Sequence, residues 1–313
     1  MRQQHQRGQH RTRFRVRRQQ QQVKGHGPPP LVGCATRLSR RIASVAQKSP
    51  FRNTRFTHVG QLTQDGVALD GFHCAPYSPA DLGVVLAHGF CNSVSTVSFR
   101  RIASRLGVQA GIVALSFRGH GRSGGRSSVG PAEVNDLAAG VHLARELGYR
   151  KIATVGFSMG AAVTLLHASQ HVVDAVVSVS SPSRWYIRQT PAMRRLHWLV
   201  EAPLGRRLAP VLGVRLGEPW ATIPVSPVEV VHRIGAPLLL VHGERDHYFP
   251  AEHGLALERA AGERAELWLE PGMGHAESGV TPDLVDRIGT WLNRTCIQTS
   301  MQQTSTRAVA CRQ

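Results

Sequence analysis

The sequence predicts an α/β fold: a mainly parallel central sheet with helices on both faces and a small helical cap. Three observations predict it. Six short, continuously apolar runs are separated by stretches with helical spacing. An alternating segment with a turn signal precedes them, and one gap of about fifty residues contains no clear strand. Runs this hydrophobic suit strands buried on both faces, and helices between consecutive strands make the sheet mainly parallel.

Residues 1–56 come first and hold 14 Lys or Arg with no Asp or Glu. Their opening stretch, "MRQQHQRGQHRTRFRVRRQQQQVKGHGPPP", has almost nothing apolar to bury, so this basic Gln/Arg-rich tail is expected to be disordered. From residue 57, "THVGQLTQDGVALDGFHCAP" alternates around Asp65-Gly66, the signature of an antiparallel hairpin. The expected strands follow at 82–89, 111–117, 151–157, 174–180, 236–243 and 265–271. Between the second and third, "PAEVNDLAAGVHLARELG" places Val134, Leu137, Val141, Leu143, Ala144 and Leu147 on one helical face, with Pro131 in the first turn. The core is therefore expected over 57–182 and 233–294. A helical cap is expected over 183–232, and a second disordered tail over 295–313.

The 313 residues, 42% of them hydrophobic, suffice for a full-sized core. The net charge of +18 belongs to the tail: residues 57–313 carry 24 basic and 20 acidic residues, a net of +4. The tail has no interleaved aromatics beyond Phe14, so no specific nucleic-acid partner is expected. Its arginines and lysines leave open a purely electrostatic grip on nucleic acid or an anionic membrane. No run approaches 18 apolar residues, so no transmembrane segment is expected. Arg40-Arg41 lack the apolar stretch an export signal needs. Five scattered cysteines (34, 74, 91, 296, 311) fit neither a disulfide framework nor a zinc cluster, which points to a cytoplasmic location. No cofactor motif and no metal-ligand spacing occur, and nothing in the sequence fixes the oligomeric state.

Gly-x-Ser-x-Gly appears twice, as "GRSGG" at 121–125 and "GFSMG" at 156–160. A catalytic serine of this kind sits on a tight turn joining a buried strand directly to a helix. "KIATV" precedes the second copy and the small-residue helix "AAVTLLHASQ" follows it, so Ser158 satisfies the requirement. Ser123 lies in a loop beyond the end of its strand and reads as an ordinary turn residue.

A serine hydroxyl needs a base, and the base needs an orienting acid. The loop after "PLLLVHG" offers Glu244 and Asp246, of which Asp246 is favoured; the loop after the last strand, "EPGMGHAES", offers His275. Ser158, Asp246 and His275 are the expected catalytic residues. The oxyanion of an acyl-transfer step needs backbone N–H donors, expected from Met159 and from Phe90 in "HGF". His88 is expected to shape that loop.

In order and spacing, "VVLAHGF", "FRGHGRSGG", "GFSMG", "VHGERDHYFP" and "GMGH" resemble the α/β-hydrolase superfamily over residues 57–294, in its serine esterase, monoacylglycerol-lipase-like and serine-aminopeptidase-like branches. The resemblance implies the α/β-hydrolase fold and places Ser123 in the loop after the strand at 111–117. Where family members often begin the "RGHGRS" motif with an acid, this chain has Ser116 and Phe117. Ser158 separates it from branches with Asp at the turn. The expected function is hydrolysis of a carboxylic ester or thioester on a small acyl substrate through an acyl-enzyme. The alternatives are an amidase or peptidase, an acyltransferase, or a non-catalytic binding protein using its basic arm. Within 183–232, Trp185, Trp198 and Trp220 read either as packing for the cap or as walls of an apolar acyl pocket. Seven arginines there against three glutamates leave an acidic substrate open.

Overall fold

The computed structural model describes residues 55–310, with side chains described as far as Cys296. β1 (Phe56–Leu62) and β2 (Ala68–Cys74) pair antiparallel. Gly66 turns between them at φ 82° and donates its N–H to the Thr63 carbonyl at 3.0 Å. All six apolar runs form strands: β3 (Leu82–Ala87), β4 (Gly111–Leu115), β5 (Lys151–Phe157), β6 (Ala175–Val179), β7 (Leu238–Gly243) and β8 (Ala265–Glu270). The sheet order is β1-β2-β4-β3-β5-β6-β7-β8. β2 meets β4 antiparallel, and every pairing from β4 to β8 is parallel.

Strands β3 to β7 alternate their side chains into two cores. Val85, Val113 and Ile152 pack with Leu137 and Leu143 of α2 (Glu133–Glu146) and with Leu165 of α3 (Met159–Ala168). Val84, Ile112 and Val155 face the opposite side, where Phe99 and Ile102 of α1 (Val97–Leu106) join Leu284, Ile288 and Trp291 of α9 (Pro282–Ala310). Helices on both faces explain why these strands read as unbroken apolar runs instead of alternating ones.

Three expectations need correction. Leu147, assigned to the buried face of α2, is exposed because the helix ends at Glu146 and the chain turns away. The expected disordered segment 295–313 is helical to Ala310. Its second residue, Cys296, is buried like Leu292 four residues earlier on the same face, so the apolar stripe of α9 outruns the boundary at 294. At the other end β1 starts at Phe56, whose ring packs edge-on against Phe72 at 4.9 Å, one residue before the expected start of the core. The tail expected over 1–56 otherwise lies outside the described residues.

Between β6 and β7, segment 183–232 holds α4 (Pro191–Glu201), α5 (Pro203–Leu208), a 3-10 turn over Ala209–Leu212 and α6 (Pro227–Val230). It touches the core through two isolated bridges, His120 with Val214 and Ser127 with Leu216. Among the described residues no helix is long and apolar enough to cross a membrane. No group of three or more His, Cys, Asp or Glu is placed to hold a metal ion among them either.

Candidate active site

β5 runs straight into α3, and Ser158 is the only residue between them, held at φ 53° and ψ −117°. Its N–H donates to the Val179 carbonyl at 2.9 Å, which ties the turn to β6. The flanking glycines are needed for space. A Cβ on Gly156 would stand 2.2 Å from the Gly160 carbonyl oxygen, and one on Gly160 would stand 2.4 Å from that of Ala87. The turn is thus pressed against the end of β3.

Asp246 follows β7 and His275 follows β8, so both come from carboxyl ends of parallel strands, where open α/β sheets place their ligands. His275 Nδ1 lies 2.7 Å from Asp246 Oδ2, and His275 Nε2 lies 2.8 Å from Ser158 Oγ. Glu244, the other acid of that loop, is exposed. The Asp246 side chain is fully buried, and its Oδ1 accepts the Tyr248 and Phe249 N–H groups at 2.9 and 3.0 Å. Burial pushes this carboxyl upward, but the hydrogen bond and charge of His275, with the two backbone N–H groups, outweigh it. They hold the Asp246 pKa below the usual carboxylate range. An ionised Asp246 accepts the Nδ1 proton and leaves Nε2 free to accept from the serine. The rings of Tyr248 and Phe249 pack on the imidazole at 4.5 and 5.4 Å.

Met159 opens α3, and its N–H is among those a helix leaves without an internal acceptor. The loop 88–90 is pinned around the other expected donor. Gly89 N–H donates to Glu277 Oε1 at 2.6 Å, and His88 Nε2 accepts the Phe117 N–H at 2.9 Å. With Nε2 accepting, His88 Nδ1 carries the proton given to the Gly89 carbonyl at 2.8 Å. The Phe90 carbonyl meets His120 Nε2. Among the described residues, this leaves the Phe90 N–H without an acceptor.

An open cleft lies over Ser158. Its walls are apolar: Phe90 and Met159 from the core, Trp185, Leu196, Val200 and Trp220 from segment 183–232. Two of the three tryptophans singled out in that segment therefore line the cleft, each fixed by its ring N–H. Trp185 donates to the Val225 carbonyl at 2.9 Å and Trp220 to that of Ser128 at 2.7 Å. Trp198 points away and is exposed.

Sequence reasoning missed several residues that shape this site. The non-glycine residues with positive φ among those described are Val129, Ser158, Ser180 and Ala276. Val129 and Ser158 line the cleft, Ala276 follows His275, and Ser180 Oγ accepts the Ala276 N–H at 3.1 Å. Strained backbone of this kind persists only where the surroundings over-determine it. For Val129 the surroundings are Glu133, a fully buried carboxylate that accepts from Ser127 Oγ, Ser128 Oγ and the Ser128 and Gly130 N–H groups. In sequence Glu133 is merely an acid in a helix's first turn, and Glu277 merely one beside a histidine. The only available signal was their nearness to loops at strand ends.

A buried strand, a one-residue turn and an imidazole bridging a hydroxyl to a buried carboxylate thus meet at the carboxyl edge of a mainly parallel sheet. The description of the alpha/beta hydrolase family matches residues 84–285, and the chain belongs to that family. The esterase Pf2001 of Pyrococcus furiosus superimposes with a TM-score of 0.63 at 26% identity, covering 77% of this chain and 91% of that one. The alpha/beta hydrolase GrgF of Penicillium sp. sh18 shares the fold, with a TM-score of 0.61 at 20% identity over 77% of this chain and 99% of its own. The protein YqkD of Bacillus subtilis (strain 168) is 27% identical over 226 residues, which is 68% of this chain and 70% of YqkD. The chain is thus a hydrolase of the alpha/beta fold with esterases among its structural neighbours.

Proposed function

We propose that the chain is a serine hydrolase that cleaves a carboxylic ester through an acyl-enzyme, with segment 183–232 as the cap over its cleft. The observation that carries this reading is the hydrogen-bonded series from Ser158 Oγ through His275 to the buried Asp246 carboxylate. Ser158 Oγ attacks the ester carbonyl while His275 Nε2 takes its proton, and Asp246 stabilises the resulting imidazolium. The Met159 and Phe90 amides hold the oxyanion, a contribution typically worth about 3 to 4 kcal/mol per donor. His275 then returns the proton to the departing alkoxide. It next takes a proton from water, whose oxygen attacks the acyl carbonyl and releases the carboxylic acid, and Ser158 regains its proton.

The apolar walls beside Ser158 support an apolar acyl group on a small substrate. A thioester suits the same steps with a thiolate as leaving group. The odd, scattered cysteines favour a reducing, cytoplasmic setting. The test pairs p-nitrophenyl esters with a fluorophosphonate probe on the full chain. Turnover and labelling are expected for the wild type and neither for Ser158→Ala; equal labelling of the two would refute the assignment.

A further inference from the structure

Segment 183–232 differs from the rest of the surface in two independent ways. Of the large hydrophobic side chains exposed among the described residues, eight lie within it and six in all the remainder. Its seven arginines and three glutamates give it a charge of +4, which is the entire net charge of residues 57–313. Everything outside it in that range balances to zero. Only Arg188 among its arginines meets a carboxylate within the described residues, that of Glu201.

The two properties meet on the exposed residues of α4 and of α5. The inner side of α4 lines the cleft through Met193, Leu196 and Val200, while its outer side presents Arg194, Arg195 and Trp198 around a shallow hollow with Pro191. In α5, Leu204, Arg207 and Leu208 are spaced for one helix face and exposed, and Val211 in the next turn is 82% exposed. Aliphatic and tryptophan side chains interleaved with arginines are the pattern of a surface that lies at a membrane interface. Large exposed apolar patches on a folded domain mark contacts.

We infer that the outer face of this segment docks on an anionic phospholipid bilayer. Trp198, Leu204, Leu208 and Val211 enter its apolar margin, and Arg194, Arg195 and Arg207 meet headgroup phosphates. Charge disfavours the other occupants. A second copy would bring +4 against +4, and residues 1–56 are themselves cationic. A nucleic acid would satisfy the arginines but leave Val211 and Leu208 nothing apolar to enter. Docking of this face brings the segment that walls the cleft onto the lipid, and it holds whatever bond Ser158 attacks.

The test is co-sedimentation of the full chain with vesicles of phosphatidylcholine alone or with phosphatidylglycerol added, near physiological salt. Residues 1–56 are identical in every variant compared, so their attraction to anionic lipid cancels. Wild type is expected to partition onto the anionic vesicles. Leu208→Ser with Val211→Ser is expected to lose about tenfold or more in partitioning, while melting and hydrolysis of a soluble short-chain ester stay unchanged. Brominated lipid is expected to quench tryptophan emission in wild type but not in Trp198→Phe. Equal partitioning of the serine variant and wild type, or no quenching by brominated lipid, would overturn the inference. So would a wild-type dimer that the serine substitutions dissociate, since a second copy would then own the face.

Discussion

The two Gly-x-Ser-x-Gly copies share a spelling and little else. Ser158 stands between a strand and a helix with its hydroxyl 2.8 Å from an imidazole. Ser123 is buried, donates its hydroxyl hydrogen to the Ser116 carbonyl at 2.5 Å and accepts the Asp70 N–H at 2.9 Å. One hydroxyl faces a base over an open cleft; the other is consumed by backbone. The glycines differ as well. Gly121 and Gly125 are there for positive φ, 49° and 67°, whereas Gly156 and Gly160 are there because neighbouring backbone leaves no room for a Cβ. A motif therefore carries chemistry only through the contacts that its strand and helix create.

Substitutions can break or sharpen that contrast. The largest expected effect is Ser158→Ala, a loss of kcat on the order of 10⁶-fold without loss of stability; Ser123→Ala should retain turnover in the same ester assay. Asp246→Asn is next. By removing the acceptor that fixes the His275 tautomer, it should lower kcat about 10⁴-fold, visible in single-turnover rates.

The glycine contrast predicts stability differences readable from denaturant midpoints. Gly160→Ala meets the Ala87 backbone and should cost about 3 kcal/mol. Gly121→Ala meets an unfavourable φ and side chains only, the nearest being the Ser116 oxygen at 3.0 Å, with no backbone in the way, and should cost about 1 kcal/mol.

His88 links the two regions, because its ring contacts both the Gly89 loop and the strand end before "GRSGG". Burial, with the neighbouring His120, holds its pKa down to about 3 against the opposing Gly89 carbonyl. The folded state keeps it neutral while the unfolded chain protonates near pH 6.5. Stability should be full above that pH and fall by up to about 1.4 kcal/mol per unit below it. His88→Gln is expected to flatten the slope of melting temperature between pH 6.5 and 4. Comparable to Gly121→Ala is the stability cost of Ser123→Ala, about 1 kcal/mol for the orphaned Asp70 N–H and Ser116 carbonyl, measured against the unaffected melting of Ser158→Ala.

Much of the fold was legible because β-branched and aliphatic runs such as "GVVLA" and "KIATV" report burial on both faces whatever surrounds them. Position along the strand also marked which loops reach the carboxyl edge, and so which serine, acid and histidine to consider. Glu277, Glu133 and Ser180 escaped notice because each acts on a loop distant in sequence or through a strained turn. A carboxylate bound to backbone N–H groups looks no different in sequence from one in water. The end of α9 was misplaced for a related reason: Cys296 extends a buried stripe that its polar neighbours conceal.

By itself the sequence determined the order of strands and helices, the strand-to-helix turn at Ser158 and the concentration of positive charge in segments 1–56 and 183–232, since periodicity and composition are local properties. Only the tertiary structure brought the favoured Asp246 within 2.7 Å of His275 and left Glu244 exposed. It also decided that Trp185 and Trp220 turn inward while Trp198 turns outward, and that a buried glutamate holds Val129 in a strained conformation. Those outcomes depend on which backbones pass within a few ångströms of one another, a relation that no single stretch of chain contains.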